Sequence, residues 1–191
     1  MLAAIAVLAL LAAACDTGDG TTLKQPDTEA VAPLPDAGED VVLPEGGFAI
    51  ASPAFDDQGL IPPRYSLNDG SNVSPPLSWG SPPEGTAELA LVVTDVAEGG
   101  AVHWVLAGLD PTSVGIEEGQ VPPGAIQGLN DFSVQGWTGP APVDGTLHTY
   151  LFTLYALAEP VDLPDGSAAA DLLTRIDAVT IAITQVAGLY E

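Results

Sequence analysis

The chain has 191 residues, room for one ordinary domain plus extra segments, and its 3 Lys and Arg against 26 Asp and Glu give a formal net charge of -23. Lys24, Arg64 and Arg175 are too few for a basic patch, which argues against nucleic-acid binding and against electrostatic docking to anionic lipid. Hydrophobic residues make up 47%, enough for a core, and the single cysteine excludes an internal disulfide or a thiolate metal cluster.

Met1 to Ala14 is almost wholly apolar. It is too short to span a bilayer, which takes about 20 apolar residues. Its length and small-residue end predict the h-region of a secretory signal peptide. Cys15 follows at once, then Asp16-Thr17-Gly18-Asp19-Gly20. A small residue before a lone Cys at the end of an apolar run resembles the lipobox of bacterial lipoproteins, in which that Cys becomes the lipidated N-terminus. No Lys or Arg precedes the run, and Ala12 stands where Leu is the commoner choice. The bland alternative is a free Cys in an apolar helix. Residues 15–45 read as an acidic, Pro-rich tether. Pro26, Pro33, Pro35 and Pro44 block regular structure, and the acidic side chains repel one another.

Residues 46–191 read as the folded domain. Glu88 to Thr94 is a short apolar, β-branched run and predicts a buried strand. Val102 to Leu109 predicts a second, and Thr149 to Leu157 a third and strongest. Phe48 to Ala51 and Val179 to Thr184 are weaker candidates. Pro/Gly turns lie between them, as at Pro82-Pro83-Glu84-Gly85 and Pro122-Pro123-Gly124. One helix is expected over Ala168 to Ile176, capped by Ser167, with Leu172, Leu173 and Ile176 on its apolar face. The class is mainly β, with antiparallel pairing.

Several strings occur in a particular order. Ile61-Pro62-Pro63-Arg64-Tyr65 is followed by Ser74-Pro75-Pro76-Leu77-Ser78-Trp79, then His103-Trp104-Val105-Leu106. Gly128-Leu129-Asn130-Asp131-Phe132, Gly136-Trp137, Gly139-Pro140 and His148-Thr149-Tyr150 come after. Order and spacing resemble the phosphatidylethanolamine-binding protein family, in its bacterial Raf-kinase-inhibitor-like branch. The resemblance implies a large antiparallel sheet packed on a smaller sheet, with one or two short C-terminal helices. It also implies a small pocket for anionic or phospholipid headgroups at one end of the sheet.

Carried over residue by residue, the resemblance assigns ligand binding to Asp95, His103, Gly139, Pro140, His148 and Tyr150. Val96 and Ala97 replace a Pro and a second Asp of the family motif, and Thr149 replaces an Arg. The residues themselves allow two readings of the histidines. They form an anion site in which protonated imidazoles near pH 6.5 donate to an oxyanion, or they are core histidines bonded to backbone carbonyls. Asp95 either holds a ring or caps a turn. Trp79 and Trp104 read as core, while Trp137 fits the pocket mouth. Asn130-Asp131-Phe132 reads as a turn bonded to its own backbone.

Family members are usually binders or inhibitors rather than catalysts, and no enzyme activity is expected here. Ser74 and Ser78 do not resemble a nucleophile elbow. No cofactor and no resident metal are expected, although Asp95, His103 and His148 are metal-ligand types. The expected protein is an exported lipid-anchored module that binds a small anion or phospholipid headgroup, attached to a bacterial membrane through Cys15 on the periplasmic or cell-surface side. The alternative is a protein-interaction or inhibitor module, for example of a protease, with a degenerated pocket and an unknown target.

Overall fold

The computed structural model describes residues 47–68 and 70–191. The signal peptide, Cys15 and the tether lie outside these residues. Ten regular elements follow in order: β1 (Ile50–Ala51), β2 (Gly59–Leu60), β3 (Leu77–Trp79), β4 (Glu88–Asp95), β5 (Ala101–Leu109), β6 (Gly115–Ile116), β7 (Ile126–Gln127), β8 (His148–Leu157), α1 (Ala169–Val179) and β9 (Thr180–Tyr190). A 3-10 turn, Pro63–Tyr65, lies between β2 and β3.

Six strands form one sheet in the order β2-β9-β8-β4-β5-β7, and β1-β3-β6 form a second, smaller sheet. All pairs are antiparallel except β2 with β9. The mainly β, two-sheet class expected from the sequence is the observed one.

β4 explains the arrangement. Successive side chains on a strand point to opposite faces. Leu89, Leu91 and Val93 join Trp104, Leu106, Phe152 and Leu154 in a core that also holds Ile50, Leu77, Trp79 and Ile116 of the small sheet. Ala90 and Val92 point the other way and pack with Val105, Ala107 and Leu157 against α1. A strand buried on both faces has no polar side, which is why it reads as an unbroken apolar run.

Three expectations are corrected in detail. α1 spans Ala169–Val179 with Ala168 at its N-cap, and no side chain caps it. The Ser167 hydroxyl instead donates to the Pro164 carbonyl at 2.7 Å. The helix buries Ala169, Leu172, Ile176 and Val179, while Leu173 is only partly buried. The last strand begins at Thr180 directly after α1 and runs for 11 residues, well past Thr184. Ile181 and Ile183 are exposed on it, so the β-branched pattern marks strand propensity rather than burial. Finally, only Ile50–Ala51 of the first candidate strand pairs, opposite Trp79 and Ser78.

Candidate functional site

Asp95 ends β4, His103 lies near the start of β5, and His148 and Tyr150 start β8. Strand register brings these together, because Asp95 stands opposite Tyr150 on one side and Ala101 on the other. The sheet therefore gathers four residues from three strands at one end.

His103 occupies an irregular position. Register between β4 and β5 steps from Val93↔Trp104 to Thr94↔Val102, leaving His103 without a partner residue on β4. It is the extra residue of a β-bulge, a device that bends a strand and re-aims a side chain. Asn130 fastens the bulge. Its side-chain amide donates to the carbonyls of His103 and Gly136, both at 3.1 Å, and to the Thr138 hydroxyl at 2.8 Å. Its side-chain oxygen accepts from the backbone N–H groups of Phe132 and Val134, both at 3.0 Å. The turn expected at Asn130-Asp131-Phe132 is thus present, and it also ties its loop to β5. Asp131 adds a bond from the Val102 N–H at 2.7 Å.

A cavity of about 40 Å3 opens here, lined by Leu67, Asp95, Glu98, His103, Phe132, Thr138, Gly139, Ala141 and Tyr150. Of the six ligand residues assigned from the sequence, Asp95, His103, Gly139 and Tyr150 line it. His148 and Pro140 do not. Gly139 is placed by the 63–67 segment: a Cβ there would collide with the Tyr65 carbonyl oxygen. Its N–H donates to the Asn72 side-chain oxygen at 2.8 Å, and the Pro140 carbonyl accepts from Leu67 N–H at 3.0 Å.

The two histidines differ in kind. His148 Nδ1 lies 2.6 Å from Asp95 Oδ2, and its Nε2 lies 3.3 Å from Asp144 Oδ1. The bond to Asp95 raises its pKa above the ordinary value; burial opposes this, and the bond to Asp144 assists it. His103 Nδ1 donates to the Thr138 carbonyl at 2.7 Å. Burial lowers its pKa, against the opposing pull of the Thr138 carbonyl and of Asp95, Glu98 and Asp131. His103 is 3% exposed, and its Nε2 is buried with no hydrogen-bond partner among the described residues. In the neutral ring that nitrogen carries a lone pair. The sequence expectation that both rings charge near pH 6.5 is therefore replaced by a split pair, His148 favouring the cation and His103 the neutral ring.

Both oxygens of Asp95 have partners. Its Oδ1 accepts from the N–H of Ala97 at 2.8 Å and of Glu98 at 3.3 Å, the turn-cap pattern, while Oδ2 holds His148. Both roles weighed for it are therefore real. Tyr150 bonds the Asp95 carboxylate, and burial followed by that charge holds its phenol well above the usual range. Its ring stands edge-on to His103 at 5.1 Å and stacks with His148 at 6.4 Å. Phe132 also packs on His103, tilted, with ring centroids 4.7 Å apart.

Trp137 does not line the cavity. It stacks on Phe152 at 6.0 Å and donates to the Tyr65 carbonyl at 3.2 Å, so it belongs to the core with Trp79 and Trp104. Glu98, Thr138 and Phe132 were missed as lining residues by sequence reasoning. Glu98, three residues after Asp95 and just before Gly99-Gly100, was the available signal. Neither described arginine lines the cavity: Arg64 pairs with Glu118 and Arg175 with Glu159.

Comparison with known proteins agrees with this architecture. The family model described as phosphatidylethanolamine-binding protein matches residues 51–191. A UPF0098 protein of Methanothermobacter thermautotrophicus is 40% identical over 144 residues, 72% of this chain and 94% of its own. The Mycobacterium tuberculosis protein named "Putative lipoprotein LppC" is 39% identical over 193 residues, 98% of this chain and 94% of its own. Among solved structures, Escherichia coli YbcL, described as a member of the mammalian PEBP family, superposes with a TM-score of 0.72 at 26% identity, covering 76% of this chain and 99% of that one. The Chlamydia trachomatis homolog CT736 gives 0.70 at 34% identity, covering 76% and 97%.

Proposed function

The chain belongs to the phosphatidylethanolamine-binding protein family, and from that premise we propose that it is an exported, lipid-anchored module that binds a small oxyanion or phospholipid headgroup. One observation carries the reading: His103, whose buried Nε2 has no hydrogen-bond partner among the described residues, lines a cavity of about 40 Å3. That volume suits roughly three waters, hence a group the size of a phosphate rather than an acyl chain.

Charge balance supports the same ligand class. His148 beside Asp95 offsets that carboxylate, which leaves Glu98 at the exposed rim. A monoprotonated phosphate ester donates its P–O–H to the His103 lone pair, and it brings this proton with it. Anchoring through a lipidated Cys15, on the periplasmic or cell-surface side, is supported by the lipobox-like sequence and by the name of the mycobacterial relative. No helix among the described residues is long and apolar enough to cross a membrane.

The test is calorimetric titration of the full chain in detergent with phosphoethanolamine, a phosphate monoester, and with inorganic phosphate, in the presence of a chelator. Binding that weakens at least about tenfold in His103→Gln supports the reading. Absence of binding, or equal affinity in the variant, overturns it. The exposed apolar Leu67 and Phe132 that line the cavity then favour the alternative of a protein-interaction or inhibitor module.

A further inference from the structure

We propose that Asp95, Glu98 and His103 form a site for a divalent transition-metal cation of the Zn2+ type. One donor atom from each lies within 4.8 Å of the other two. Acidic clusters alone mean little on a chain with 26 Asp and Glu. What distinguishes this one is His103, 3% exposed, with Nε2 unpartnered among the described residues in the wall of the cavity.

The surroundings resemble the outer shell of a metal site. A ligating imidazole usually donates its other N–H to a carbonyl or carboxylate, which fixes tautomer and orientation. His103 does this through Nδ1 to the Thr138 carbonyl. Asp95 is oriented in turn by His148 and by the Ala97 and Glu98 N–H groups. His148 is not a ligand, because both of its nitrogens are engaged by carboxylates. The triad of Asp95, His103 and His148 weighed from the sequence therefore becomes one with Glu98 in the third place.

Metal–ligand bonds of about 2.0–2.2 Å place tetrahedral donors roughly 3.5 Å apart. The set must close by about 1 Å, and Glu98 can supply that movement. It is exposed and is followed by Gly99 and Gly100 at φ 70° and 89°, with open space around both. One nitrogen with two carboxylates selects Zn2+, Co2+ or Ni2+ over Ca2+ and Mg2+, which prefer all-oxygen shells. Three protein ligands leave a fourth position facing the cavity, open to water or to an oxyanion oxygen. The metal site does not depend on the anion reading.

The experiment uses full chain in detergent, freed of metal and phosphate, titrated with Co2+ alone and followed by visible absorption. The expected result is intense low-coordinate bands saturating near one equivalent, displaced by Zn2+. Glu98→Gln, at an exposed position, should weaken Co2+ binding at least about tenfold, and His103→Gln should abolish the bands. Equal binding in wild type and Glu98→Gln, or only the pale spectrum of six-coordinate Co2+, would overturn the site. If His103→Gln melts below the wild type, Glu98→Gln alone decides. Phosphate binding in chelator reports on the anion reading separately, so either can fail without the other.

Discussion

Asp95 and His148 lie 53 residues apart in sequence, yet Asp95 Oδ2 and His148 Nδ1 meet at 2.6 Å with both side chains almost wholly buried. The pair joins a residue of the cavity wall, Asp95, to a histidine that does not line the cavity. It also separates the chemistry of the two histidines, because the carboxylate bonds directly to one ring and only acts at a distance on the other.

With two histidines in the chain, the ring signals of an NMR titration are readily assigned. In metal-free protein one should titrate above 6.5 and the other below it. The first should vanish in His148→Gln. For His148, a folded pKa raised above the unfolded value means its contribution is full below about pH 6.5 and fades as pH rises through the folded value. For His103 the sign reverses: its lowered folded pKa makes protonation destabilising, so stability falls as pH drops below about 6.5. Two coincident titrations near 6.5 would contradict the geometry.

The two N–H groups of the Asn130 side chain are shared among three acceptors, and its oxygen accepts two bonds. Asn130→Ala leaves several of these buried groups unpaired, at about 1–3 kcal/mol each where water cannot replace the partner. We expect a loss of about 3 kcal/mol in urea unfolding, together with weaker ligand binding, because the bulge at His103 is no longer held. A loss under about 1 kcal/mol would show that the bulge holds itself.

Gly139→Ala tests the close approach beneath the cavity floor. The new methyl collides with the Tyr65 carbonyl, and backbone must shift to admit it. Overpacking of this kind costs about 1–3 kcal/mol. A lower thermal midpoint is expected, and an unchanged one would mean the 63–67 segment yields freely.

Intact-mass analysis of the membrane fraction checks the N-terminus. A chain starting at an acylated Cys15, without Met1 to Ala14, is expected from the apolar run and the Ala-Ala-Cys junction. A soluble, uncleaved chain with free Cys15 would reject lipid anchoring.

β4, β5 and β8 were legible because each is long and apolar enough to declare itself without help from neighbours. The order of short strings, such as Ser74-Pro75-Pro76-Leu77-Ser78-Trp79, was enough to indicate the family resemblance. Strands of two or three residues, β2, β3, β6 and β7, were not legible, since nothing that short carries a period. They exist only because a partner strand offers hydrogen bonds, as the Leu189 carbonyl does for the Ile61 N–H at the end of β2. The site divides in the same way. The family resemblance named Asp95, His103, Gly139 and Tyr150, which line the cavity, and also Pro140 and His148, which do not. That His148 would pair with Asp95 while His103 kept a buried free nitrogen was decided by a one-residue bulge and by Asn130. Protonation depends on burial and on which partner lies within 3 Å, and those are set by strand register rather than by residue identity.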